Sequence, residues 1–198
     1  AIAAGAAHPE QWGEVARKAD FYDLKGDLES LFAGRPLHFE KVVHPALHPG
    51  RSASVMLDGT AIGVIGELHP LWVQKYELGT APVVFEVALE ALLAVPMPVY
   101  QEVSRYPSVT RDIALVVAGD QPLQPLLDAM REVSDACVRA LELFDVFTGN
   151  GLPEGKKSLA FRVVMQDTAR TLADAEVDAA MQRLVLAASE KFGAALRN

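Results

Sequence analysis

Apolar residues at Phe21, Leu24, Leu28, Leu31 and Phe32 fall at three- and four-residue intervals, the stripe of a helix that Gly34 and Pro36 stop. Beyond them the period shortens. Residues 37–43, 52–57 and 60–68 read as strands, the last two joined by the hairpin pair Asp58-Gly59 and the first two by a His-Pro-rich loop over 44–51. His69-Pro70 opens a brief helix carrying Leu71, Trp72 and Tyr76, Gly79 closes it, and 82–89 reads as a buried strand. The pattern predicts a short antiparallel meander with helices. Pro96 and Pro98 then block helix and interior strand pairing near the middle of the chain, which places a boundary there and predicts two units, 1–97 and 98–198.

The second half has a cleaner rhythm. Residues 111–117 form a strand, and Asp120 is placed to cap a helix with Leu123, Leu126, Leu127, Met130 and Val133 on one face. A long strand follows over 138–147, then a turn at 149–155 and a third strand over 158–165. Val177, Met181, Leu184, Ala188 and Phe192 mark a second helix, and 194–197 is short enough for an edge strand. The order β-α-β-β-α-β predicts an α+β fold: a ferredoxin-like unit with both helices on one face of a four-stranded antiparallel sheet. The other face is open, and function is expected there or on its rim.

Composition narrows the classes. With 51% hydrophobic and 22% charged residues, most of the 198-residue chain is expected to fold. No apolar run approaches the ~20 residues that cross a bilayer, and no export signal is visible at the start. Cys137 is the sole cysteine, so neither an internal disulfide nor a thiolate zinc cluster is expected, and a cytoplasmic setting fits best. A net charge of −8 argues against sequence-indifferent nucleic-acid binding, which draws its affinity from many Lys/Arg–phosphate contacts. A small local RNA site stays open.

Candidate catalytic chemistry is thin. Each of His44, His48 and His69 is followed by proline, which prevents the helix that would converge imidazoles on a metal. Gly149-Asn150-Gly151 reads as a β-turn with no helix after it to offer amides to a phosphate. Cys137 has no nearby histidine. Neither catalysis nor a metal site is expected from these residues.

More specific are six blocks in fixed order: DFYDLKGDLE at 20–29, HPALHPGRSA at 44–53, GVIGELHP at 63–70, RYPSVTRD at 105–112, LFDVF at 143–147 and PEGKKSLAF at 153–161. Together they closely resemble the β subunit of bacterial phenylalanyl-tRNA synthetase over nearly the whole chain. The resemblance implies that 1–97 is the C-terminal part of a non-catalytic, class II synthetase-like domain and 98–198 a ferredoxin-fold anticodon-binding domain, both at the end of a longer subunit. It implies a cytoplasmic α2β2 enzyme with the α subunit and tRNA(Phe) as partners. ATP and magnesium then serve phenylalanine activation on the α subunit, and no cofactor binds this part.

Unpaired RNA bases are read by stacking and by hydrogen bonds to their edges, which an open sheet face can supply. Strand alternation puts Leu159, Phe161, Val163 and Met165 toward the core and Ser158, Ala160, Arg162 and Val164 outward, with Asp145 and Phe147 sharing a face on the strand before. By resemblance, the base-stacking aromatic falls on Phe147, where the family often has tyrosine, and the hydrogen-bonding serine on Ser158, with Asp145 beside them. Arg105, Arg111, Lys156, Lys157 and Arg162 lie in or beside neighbouring strands, a candidate positive rim for phosphates. Ala173 stands where the family commonly has a capping threonine, leaving Thr171 or Asp174 to substitute. Two alternatives are a ferredoxin-like regulatory module that binds a small metabolite and a protein-interaction module. The first predicts a glycine-rich loop after the first strand, the second a largely apolar open face.

Overall fold

A computed structural model describes every residue except Ala33, Val95, Pro96, Pro98, Gln101, Glu102 and Asn198. Both prolines of the expected boundary thus lie outside the described residues. The chain forms two compact units, Ala1–Pro98 and Val99–Asn198.

In the first unit, helix α1 (Phe21–Leu31) starts at Asp20, whose carboxylate accepts from the amides of Tyr22 at 2.8 Å and Asp23 at 3.2 Å. Asp23 in turn accepts the Asp20 amide at 2.8 Å, so amides that the first turn leaves without helical partners are satisfied reciprocally. Leu24 and Leu28 are buried against an antiparallel sheet built from β1 (Ile2–Ala3), β2 (Leu37–Lys41), β3 (Leu47–Leu57), β4 (Thr60–Leu68) and β5 (Val83–Val87), in the order β1-β5-β4-β3-β2. Asp58 and Gly59 take φ of 50° and 77°, the left-handed pair that a two-residue hairpin turn requires.

Four expectations are corrected here. Strand β2 ends at Lys41 rather than at 43. Strand β3 begins at Leu47, so the 48–51 stretch continues a strand whose ladder is interrupted between Leu47↔Leu68 and Ser52↔Gly66. Pro49 is tolerated there because no residue stands opposite it to need its missing N–H. Helix α2 (Pro70–Lys75) ends at Tyr76 instead of Gly79, with Glu77 taking a left-handed φ of 52°. Leu89 opens a short helix, α3 (Leu89–Leu93), rather than closing β5.

The second unit runs β6 (Val109–Ala118), α4 (Leu123–Glu132), β7 (Val138–Phe147), β8 (Lys156–Met165), α5 (Asp174–Phe192) and β9 (Ala195–Leu196). The sheet order is β7-β8-β6-β9, antiparallel throughout, which is the ferredoxin-like arrangement expected from the pattern. One face packs Leu115, Val117, Leu159, Phe161, Val163 and Met165 against Leu126 and Met130 of α4 and Val177 and Leu184 of α5. Burying a side chain such as Phe161, with no exposed surface, contributes roughly 1.5–3 kcal/mol.

Both expected helix caps are corrected. Helix α4 follows Pro122 with no side-chain cap, so Asp120 does not serve it. At α5 neither Thr171 nor Asp174 stands in for the missing threonine. Glu176 reaches back instead to accept the Ala173 amide at 2.9 Å while Arg170 grips its carboxylate at 2.5 and 2.7 Å. Arg170 chiefly, and that amide next, hold the Glu176 carboxyl down to about 2.

Candidate nucleic-acid interface

On the sheet face away from α4 and α5, cross-strand register aligns side chains in rows. Phe147, Ser158, Val116 and Ala195 stand opposite one another in turn, and Asp145, Ala160 and Ala114 form the next row. Arg197, just past β9, donates its amide to the Ala114 carbonyl at 2.9 Å and so extends that second row. Its guanidinium nevertheless lies 4.7 Å from the centroid of the Phe147 ring, on the far edge strand. The arginine therefore crosses the face above β6 and β8, a path open because Ala114, Ala160 and Ser158 are small.

Ser158 and Phe147 meet directly across strands, and Asp145 shares their face. The serine is only 3% exposed and its hydroxyl has no hydrogen-bond partner among the described residues; since no buried side-chain polar atom among them lacks a partner, that hydroxyl keeps contact with solvent. A donor and acceptor thus sits at the floor of the face without a protein group to satisfy it.

Strand β7 carries an extra residue between Leu143↔Phe161 and Asp145↔Ala160. Such a bulge re-aims a side chain. Here it brings Phe144, 53% exposed, beside Arg162, whose guanidinium lies 5.0 Å from the ring centroid. That guanidinium is itself fixed by two bonds to Asp112, Nε to Oδ1 at 3.0 Å and Nη2 to Oδ2 at 2.9 Å. The pairing holds the Asp112 carboxyl below its ordinary range and raises Arg162.

The five candidate rim residues separate. Lys156, opposite Ala118, and Arg162, opposite Asp112, belong to the open face. Arg111 and Lys157 stand opposite the buried Val163 and Val117, so both point to the helix side, contrary to a common rim. Lys157 donates there to the Gln121 carbonyl at 2.7 Å. Adjacent lysines in a strand cannot share a face. Arg105 is exposed ahead of β6. Sequence reasoning missed Phe144 and Arg197. LFDVF holds a second aromatic in view, but alternation alone does not reveal a bulge, and no local signal sends Arg197 across two strands to the ring of Phe147.

Among the described residues no group of three potential metal ligands converges, and no helix is long and apolar enough to cross a membrane. The open face mixes aromatic, acidic and basic groups rather than forming an apolar sheet, which disfavours a purely apolar assembly surface.

Two family models match the chain. One, described as the ferredoxin-fold anticodon binding domain, covers residues 104–197, and the other, the phenylalanyl tRNA synthetase beta chain CLM domain, covers 1–89. Phenylalanine–tRNA ligase beta subunits are similar throughout: that of Aromatoleum aromaticum is 56% identical over 196 residues and that of Dechloromonas aromatica 58% over 197, each covering 99% of this chain. The beta subunit of Thiobacillus denitrificans is 50% identical over 196 residues. The chain spans 25% of the length of each of these relatives.

Proposed function

Because the chain belongs to the family of phenylalanine–tRNA ligase beta subunits, of which it represents the C-terminal region, we propose that its second unit binds the anticodon region of tRNA(Phe) and that this part performs no catalysis itself. The observation that carries the reading is the juxtaposition of Phe147 with the unpartnered Ser158 hydroxyl on the open face. A base stacked on the ring takes the place that the Arg197 guanidinium holds, and its edge then reaches the serine beneath. Phe147 supplies affinity and Ser158 discrimination, while Asp145 offers an acceptor to base amino groups.

In the same reading, residues 1–97 are a structural, class II synthetase-like part and 98–198 the anticodon-binding domain. The whole enzyme is a cytoplasmic α2β2 ligase that joins phenylalanine to its tRNA. ATP and magnesium act on the α subunit.

The test is aminoacylation by the complete ligase with tRNA varied, beside ATP–pyrophosphate exchange. Phe147→Ala should lower kcat/KM for tRNA roughly 10- to 100-fold, as expected for losing about 1–3 kcal/mol of stacking, and leave exchange unchanged. Phe147→Tyr should be tolerated. Ser158→Ala should narrow the preference for cognate over anticodon-altered tRNA. Equal loss in both assays would indicate a folding defect, and no loss in either would return Phe147 to an ordinary strand residue.

A further inference from the structure

We propose that Phe144, Arg162 and Asp112 form a second stacking subsite, which takes an unpaired RNA base neighbouring the one on Phe147; the proposal rests on the anticodon reading above. Three features single out this cluster. The bulge in β7 gives Phe144 no partner on β8 and turns an aromatic ring outward, where 53% of the residue is exposed. Guanidinium planes, like aromatic rings, are platforms for bases, and Arg162 lies 5.0 Å from the ring centroid. Finally, the two bonds to Asp112 fix the orientation of that guanidinium before any ligand arrives, so less side-chain freedom is lost on binding.

The spacing suits adjacent loop nucleotides. Phe144 and Phe147 are three residues apart along one strand, roughly 7–10 Å at the rise of a bulged strand. Neighbouring bases stacked on each other in a duplex strand stand ~3.4 Å apart. Bases that reach both rings are therefore splayed from one another, as single-stranded loop bases are when proteins read them. Charge sets the kind of contact. Asp112 already neutralises Arg162, so this subsite favours the flat face of a base over a phosphate, and its contribution should be nearly insensitive to salt. Phe147 differs in having Arg197, which has no carboxylate partner among the described residues, over its ring.

The experiment measures binding of the tRNA(Phe) anticodon stem-loop to the complete ligase by fluorescence anisotropy, using the intact loop and a series with one abasic nucleotide at each loop position. Phe144→Ala should weaken the intact loop about tenfold, within the range for one aromatic–base stack, with an unchanged salt slope. Phe144→Leu, which keeps apolar bulk on the strand, should lose as much. The loss should vanish for one abasic position, and that position should differ from the one that absorbs the loss of Phe147→Ala. Undiminished binding by Phe144→Ala beside a weakened Phe147→Ala would overturn the second subsite alone. A Phe144→Ala loss that persists at every abasic position, or that vanishes at the position belonging to Phe147, would also overturn it. If neither variant changes binding, the anticodon reading fails with it.

Discussion

In the first unit, the imidazoles of His44, His48 and His69 each accept, at Nδ1, the amide of the residue two places on, at 3.3, 3.0 and 3.1 Å. Ser52 donates to the Val42 carbonyl at 2.8 Å, and Asp20 caps a helix. On the open face of the second unit, guanidinium groups lie against the rings of Phe144 and Phe147, and Ser158 has no hydrogen-bond partner among the described residues. Both units are antiparallel sheets with helices, so architecture does not separate them. What separates the turns of the first from the open face of the second is the use of polar side chains. Groups bonded to their own backbone hold turns in shape, whereas groups that meet only one another can exchange those contacts for a ligand at small cost. The three histidines, which invite a metal reading in the sequence, are parts of turns.

The largest separate effect on the two units is expected from a clash in the backbone of the first sheet. A Cβ at Gly63 would lie 2.0 Å from the Glu86 carbonyl oxygen and 2.7 Å from the Val87 Cα, backbone atoms of β5 that cannot rotate away. Gly63→Ala should destabilise the first sheet by about 3 kcal/mol or more, the upper range for overpacking. Residue-resolved hydrogen exchange in the whole chain should show faster exchange across β3, β4 and β5 with β6 and β8 unchanged, and loop-RNA binding should persist. Loss of RNA binding would mean that the open face depends on the first unit.

Much of both sheets was legible because their cores obey a period. Of the helical stripe, Leu24, Leu28 and Phe32 are buried and Phe21 is half-buried, whereas Leu31, near the end of the helix, is exposed; the alternation Leu159, Phe161, Val163, Met165 is buried as the pattern predicts. So is the pairing of Phe147 with Ser158 across the turn. The failures lie where partners are distant or where the period slips. Strand β1 is two residues long and exists because Ile2 and Ala3 pair with Val84 and Val83, a contact without a local signal. Phe144 was hidden by one inserted residue. The cap of α5 passed to Glu176 because Arg170, six residues before it, fixes that carboxylate.

A milder test asks whether the histidines serve only the turns. His69 stands at the N-terminus of α2, with its Nδ1 on the Leu71 amide, so His69→Ala should cost about 1 kcal/mol, the usual loss for a helix cap. His69→Asn, which restores a side-chain acceptor, should recover most of it. Thermal unfolding followed by exchange in β4 and α2 measures both. RNA affinity should stay at the wild-type value in each variant, and a metal-dependent stabilisation of the wild type that His69→Ala abolishes would contradict the turn assignment.

The smallest effects come from two adjacent residues that divide as the two units do. Lys156 lies on the open face and makes no ion pair among the described residues, while Lys157 points to the helix side and donates to the Gln121 carbonyl at 2.7 Å. If Lys156 meets RNA phosphate, one counterion fewer is released when it is removed, so Lys156→Ala should flatten the dependence of log affinity on log salt by about one and leave stability alone. Lys157→Ala should do the reverse, costing about 1 kcal/mol because a half-buried carbonyl loses its donor, with the salt slope unchanged. Lys157→Arg, which keeps the charge but not the reach of an ammonium on that stem, should recover stability only in part. The measurements are binding titrations at several salt concentrations and denaturant unfolding of the same variants. Equal slopes for both alanine variants would place the two lysines in one solvated surface and erase the distinction drawn from their alternation along β8.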